Sequence, residues 1–248
     1  MELGWQELVL LALIAMGGGF VQRVTGFGLG IFVMLFLPFL FSAHTEAAAI
    51  STLFSCGAST YNAIHYRKKI PFKTVLPALI AALITIPIAV MFAKYVKADV
   101  FDILLGSVLI LLSIYFLFFN RHIKLKPTVP NGIVAGTFGG VLTGLFSTAG
   151  PPIVLYLTNA TEDPMVYLAA TQFYFAVTGL YATGTRAVNG ILTWELLLYA
   201  AIGMVGCMSG NLLGKCVFDK LNPKRLKQIV YLAMIVSGLL MIFKAIVK

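Results

Sequence analysis

Six apolar runs, each close to the length a helix needs to cross a bilayer, dominate the chain: residues 46–66, 72–93, 99–119, 163–186, 193–214 and 224–247. A crossing takes about 20 helical residues. Hydrocarbon offers no water to the backbone N–H and C=O groups, so each run must satisfy its own hydrogen bonds as a helix. The chain is 60% hydrophobic and only 11% charged, whereas soluble domains carry roughly 25% charged residues. A soluble core of this size could not bury that much apolar surface. The sequence therefore reads as an all-α polytopic membrane protein of the cell (inner) membrane, spanning it several times.

The net charge of +9 sits between the apolar runs, where cytoplasmic loops carry it; no nucleic-acid partner is implied. Cys56, Cys207 and Cys216 show neither a disulfide framework nor metal-ligand spacing. No cofactor is expected. The start, "MELGWQELVL", lacks the basic region of a cleaved signal peptide, so the first apolar segment reads as retained.

Two regions, 7–41 and 131–158, are too long for one straight crossing and too short for two full ones. Each holds a glycine cluster and a break. Each reads as a pair of short helical pieces or as one crossing with an unwound middle. They occupy corresponding places in two halves that meet at "NRHIKLKPTVPNG". Gly18 and Gly140, Thr25 and Ser147, and Gly28 and Gly150 pair at a constant offset of 122 positions. The expected organisation is a first transmembrane repeat over 1–119, a basic linker over 120–130 and a second repeat over 131–248. In each repeat a broken or re-entrant region precedes three transmembrane helices.

Loop charge bears on orientation. Arg67, Lys68, Lys69 and Lys73 form one basic loop, Arg121, Lys124 and Lys126 a second, and Lys215 to Lys227 a third. All three lie in the cytoplasm if each broken region makes two short passes. Each half then has an odd number of segments and the two repeats are inverted. The rival has eight crossings and puts the third basic loop outside.

The breaks carry the chemistry. Pro151 and Pro152 lack an N–H, so the carbonyls of Ser147 and Thr148 lose their helical partners. Gly150 is pushed from the helical region and Pro151 suits the first position of a new helix. A helix start favours an anion and released carbonyls favour a cation. The first half breaks instead at "RVTGFGLGIF", where Gly26, Gly28 and Gly30 permit unwinding. Gln22, Arg23 and Thr25 stand beside it. Arg186 ends an apolar helix of the second half, and Gln172 lies in the helix after the second break. Asn62, Asn211, Tyr61, Tyr174 and Tyr181 complete a donor-rich interior inventory suited to an oxyanion. The acidic residues all fall near segment ends, so no carboxylate relay is expected. The ladders Gly132–Gly136–Gly140–Gly144 and Gly206–Gly210–Gly214 predict close helix packing.

"GGGFVQRVTGFGLGIFVMLFLPFL" and "GGVLTGLFSTAGPPIVLYL" resemble the duplicated motifs of the sulfite exporter TauE/SafE family of membrane transporters, along nearly the whole chain. The resemblance implies movement of a small sulfur-containing anion: sulfite, a sulfonate or a related organosulfur acid. It points to Gln22, Arg23, Thr25, Gly26 and Gly28 in the first motif, and to Ser147, Thr148, Gly150, Pro151 and Pro152 in the second. The first copy has "TGFG" where the second has "TAGPP", so the two are chemically unequal. Positions Gly144 and Leu145 answer to Gln22 and Arg23, so any role of Arg23 is one-sided. The expectation is a secondary transporter working by alternating access, with Gln172 and Arg186 added to the motif residues as substrate-binding. Its partners would be a small anionic substrate, membrane lipid and a coupling ion (proton or sodium), with a homo-oligomer left open. The alternatives are a passive anion channel and a membrane-embedded enzyme. Against the enzyme, His44, His65 and His122 are scattered near segment ends and the hydroxyls have no evident base.

Overall fold

The computed structural model describes residues 3–41, 43–119, 126–148, 150–161, 163–217 and 223–247. Eleven α-helices lie among them: α1 Trp5–Thr25, α2 Leu29–Met34, α3 Leu37–Leu40, α4 His44–His65, α5 Phe72–Tyr95, α6 Ala98–Ile114, α7 Val129–Phe146, α8 Gly150–Ala160, α9 Pro164–Val188, α10 Trp194–Val217 and α11 Pro223–Val247. No strand occurs among the described residues. Six of the helices, α1, α5, α6, α7, α10 and α11, are long and apolar enough to cross a membrane. The chain is a multi-pass membrane protein. Its lipid-facing belt is visible in rows of exposed apolar side chains, such as Leu76, Ile80, Ile84 and Ile88 on α5.

Helices α4 and α9 have spanning length, 22 and 25 residues, but carry more polar side chains. Those groups face inward: Ser51, Thr52 and Ser59 on α4, and Thr171, Gln172, Thr178 and Arg186 on α9, are buried. A helix enclosed by others need not be apolar all round.

Contacts fix the helix directions. Gly206 packs on Ala12 and Gly210 on Met16, so α1 and α10 run parallel. Gly136 packs on Ala78 and Gly140 on Ala82, so α7 and α5 run parallel as well. Along α4 and α9, Asn62 meets Gln172 and Thr52 meets Arg186, an antiparallel pairing. Helices α6 and α11 are also antiparallel. Gly106 and Gly238 sit against each other's carbonyls, and Ser113 donates to the Tyr231 carbonyl at 2.7 Å. Phe54 on α4 meets Gly203 on α10, and the ring of Phe41, just before α4, lies 6.4 Å from that of Tyr199. Thus α1, α4 and α10 share one direction. The short α2 and α3, lying between α1 and α4, must carry the chain back.

The broken regions differ from the expected pairs of short pieces. Their first members are long, 21 residues in α1 and 18 in α7. Only the returning members are short: 6 and 4 residues in α2 and α3, and 11 in α8. The second region gains its length upstream. Pro130 sits in the first turn of α7, where a missing N–H costs nothing, so the last residues of the expected linker are helical. Linker residues 120–125 lie outside the described residues.

The glycine ladders do pack helices. A Cβ on Gly210 would overlap the Met16 carbonyl, and one on Gly136 the Ala78 carbonyl. Gly210→Val is therefore expected to destabilise the α1–α10 contact by ~1–3 kcal/mol, read as a lower thermal unfolding midpoint in detergent. Gly184→Ala is the control, because its added Cβ meets nothing within 4 Å.

Candidate functional site

The first break is built on two left-handed glycines. Gly26 ends α1 with φ 82° and Gly28 precedes α2 with φ 95°. An L side chain resists that conformation, which explains glycine at both. The second break uses Ser147, the one non-glycine residue with positive φ (59°) among the described residues. Its N–H bonds the Thr143 carbonyl, and the Thr148 N–H reaches back to Leu142 at 3.2 Å. This closes α7 with a left-handed (αL) cap. Helix α8 then begins at Gly150, one residue before the expected start at Pro151.

The two breaks touch. A Cβ on Gly30 would overlap the Ser147 carbonyl, and one on Gly150 would stand 3.3 Å from the Phe27 ring. Between them lies a cavity of about 50 Å³, lined by Gln22, Gly28, Gly30, Ser147, Thr148 and Gly150, by Thr52, Ser55 and Ser59 of α4, and by Thr178 of α9. That is far below the roughly 300 Å³ at which pockets for drug-sized ligands begin. It suits a compact ion. Gln22 Oε1, Ser55 Oγ and Thr148 Oγ1 are buried there without a hydrogen-bond partner. Buried polar atoms are rarely left so.

Arg186 stands directly behind this wall, 2% exposed. Its Nη1 donates to Thr52 Oγ1 at 2.7 Å. Its Nη2 donates to the carbonyls of Thr143 and Gly144 at 3.0 and 2.9 Å. These carbonyls belong to the last turn of α7, the negative end of its dipole. Thr52 and Ser147 hydroxyls are in direct contact, and both donate to the Ala48 carbonyl, at 2.7 and 2.8 Å. No carboxylate pairs with Arg186 among the described residues. A buried guanidinium with only neutral partners leaves net positive potential beside the cavity.

At the other end, Gln22 Nε2 lies 3.4 Å from both Ser59 Oγ and Gln172 Oε1. Gln172 Nε2 donates to the Gly26 carbonyl at 3.0 Å, and Asn62 also donates to Gln172. Gln172 does not line the cavity; it ties the first break to α9 and holds Gln22. Gly26 is likewise behind the wall.

Of the other residues singled out from the sequence, Arg23 is half-buried on the side of α1 facing α10. Its Cβ and Cγ lie against Gly214, away from the cavity. The Thr25 side chain lies outside the described residues. Pro151 and Pro152 line a separate apolar groove between α6, α7 and α8. They also strip the first turn of α8 of two N–H donors, leaving its dipole with few hydrogen bonds to offer. Tyr61 and Tyr181 are not interior groups: they are 72% and 44% exposed. The hydroxyls of Thr52, Ser55 and Ser59 were not anticipated. Their spacing of three and four places them on one helix face. Among the described residues no cluster of three His, Cys, Asp or Glu could hold a metal ion.

A family model described as sulfite exporter TauE/SafE matches residues 11–241. A protein of Cupriavidus necator named "Probable sulfite/organosulfonate exporter TauE" is 27% identical over 250 residues, covering 96% of each chain. No solved structure matches the chain.

Proposed function

The chain belongs to the sulfite exporter TauE/SafE family, and from that premise we propose that it is a secondary transporter moving a small sulfur-containing anion by alternating access. The carrying observation is Arg186: a buried cation with no carboxylate partner among the described residues, one hydroxyl away from the small cavity between the breaks. The anion is its missing counter-charge. Thr148 and Ser55 supply hydroxyls, and Gln22 an amide that can turn to donate. Ser147 can rotate its hydroxyl from the Ala48 carbonyl toward the anion. Of the residues read from the sequence as substrate-binding, Gln22, Ser147, Thr148 and Arg186 keep that role in this proposal, Arg23 and Pro151 do not, and Gln172 positions Gln22.

The rocking elements are the two repeats, 1–119 and 131–248, read as inverted. Helix directions support this. If α1 corresponds to α7 and α5 to α10, the parallel contact α1–α10 is the symmetry mate of α7–α5. The corresponding helices α4 and α9, and α6 and α11, meet antiparallel, as a two-fold axis in the membrane plane demands. Both breaks meet near the middle of α4 and α9, so small tilts of one repeat open the cavity to either side.

Counterflow in proteoliposomes tests the proposal, with sulfite, thiosulfate and ethanesulfonate as probes. Stimulation of uptake by at least one of these anions on the far side is expected. No flux of any of them contradicts the substrate class. Flux without such stimulation is the signature of a channel and contradicts alternating access. Thr148→Val, which keeps shape and removes the hydroxyl, is expected to weaken apparent affinity about tenfold.

A further inference from the structure

One buried carboxylate among the described residues lies outside the cavity: Asp102 in the second turn of α6, 3% exposed. Its Oδ1 is 3.5 Å from His44 Nε2 at the start of α4, and its Oδ2 is 3.8 Å from Lys244 Nζ near the end of α11. Neither approach is the ~2.7–2.9 Å of a charge-assisted hydrogen bond. Asp102 Oδ1 is buried without a hydrogen-bond partner, while the His44 ring also has the Ala98 backbone beside it. The pair is held in ion-pair range.

We propose that the Asp102–His44 pair, with Lys244 beside it, is a proton-binding site that couples transport to a pH gradient. The proposal rests on the transporter reading and supplies its coupling ion. The charged groups facing the pair are Lys244 from α11 and Asp99 one turn earlier on α6. From α3 the neighbour is the Phe39 ring, 5.4 Å from Lys244 Nζ. Glu46, also on α4, instead lines a small cavity with Glu195 and Tyr199. Lys244 is 44% exposed on its side chain, so the pair is not closed off on the α11 side.

The site is joined physically to the second break. The His44 ring stacks on Phe101 at 4.8 Å and 3°. Phe101 meets Phe146 edge-on at 5.0 Å, and Phe146 precedes Ser147. One turn along α4 from His44, the Ala48 carbonyl accepts the Ser147 hydroxyl. A shift of the α4 start against the α6–α11 pair therefore reaches the cavity wall by two routes. A ligand biases a two-state element only by binding its states unequally. With α4 and α6 together, the carboxylate faces His44 and Lys244. A proton taken up by the pair weakens that attraction, so proton binding and separation of α4 from α6 favour each other. One proton bound from one side and released to the other per cycle completes the coupling, with no other species changed.

The test uses ethanesulfonate, which stays ionised across the working pH range, so any pH effect belongs to the protein. In proteoliposomes the wild type is expected to exchange it at equal pH and to accumulate it under an imposed pH gradient. Asp102→Asn and His44→Gln are expected to keep exchange but lose about tenfold or more of the gradient-driven accumulation. Should Asp102→Asn fail to fold, His44→Gln carries the same comparison. Wild-type exchange that ignores the pH gradient, or follows a sodium gradient instead, overturns the proton site and leaves the transporter reading standing. Gradient-driven accumulation unchanged in both variants overturns it too. A wild type that moves neither ethanesulfonate nor any other sulfur anion removes the transporter reading and the proton site together.

Discussion

Arg186→Gln is expected to lower anion affinity about 100-fold or more, the largest effect of any single substitution in the protein. Removing one partner of a buried, hydrogen-bonded charge pair costs ~2–5 kcal/mol, and here the charge lost is the one that offsets the anion. Arg186→Lys keeps the charge but cannot reach Thr52 and the two α7 carbonyls together. It should fall between, about tenfold weaker than wild type. Arg186 also caps α7, so glutamine is expected to lower thermal stability. The two roles separate in one experiment: affinity is measured by counterflow on protein recovered as a single gel-filtration peak. A less stable variant with wild-type affinity would leave Arg186 as a cap only. Arg23→Gln, by contrast, is expected to change affinity less than about threefold, because Arg23 packs against α10 and does not line the cavity.

Gly30→Val carries the second-largest expected effect. The new Cβ would run into the Ser147 carbonyl and press on Ser55 Oγ at 3.4 Å. The main obstacle is backbone, which cannot swing aside as a side-chain tip can. The two breaks must separate, at ~1–3 kcal/mol or more. Because the proposed anion site draws on groups from both, transport is expected to fall below detection while membrane insertion persists. Gly30→Ala should show a smaller loss in the same direction. Near-normal counterflow in Gly30→Val would mean that the contact between the breaks is incidental.

The breaks themselves were legible because they follow local backbone rules. Glycine at 26 and 28 permits the left-handed turn, and Pro151-Pro152 forbids continuation of a helix. The polar partners were not legible. Ser and Thr in helices usually return their hydrogen bond to the carbonyl four residues back. Thr52 does so to Ala48, and only tertiary packing reveals that the same oxygen accepts from Arg186. Arg186 was named from the sequence as substrate-binding, but its position at the end of α9 gave no sign of its partners. The stop of α7 at Ser147 brings released carbonyls to its depth, and that meeting is invisible in one dimension. Arg23 sat closer to a break in sequence, yet its direction on α1 turns it toward α10. Tyr61 and Tyr181 illustrate the same limit: polar tips on aromatic rings can face lipid as readily as an interior. Asp102 lies near a helix start, as expected of every acidic residue here, but α4 and α11 close over it.

The central claim is that one anion sits between the two breaks, beside Arg186. A structure of the wild-type protein with thiosulfate bound tests it most directly. The account predicts the anion within hydrogen-bond reach of Thr148 and Ser55, with Arg186 on the adjoining wall. An anion seated beside Arg23 between α1 and α10, with the cavity between the breaks empty, would contradict it.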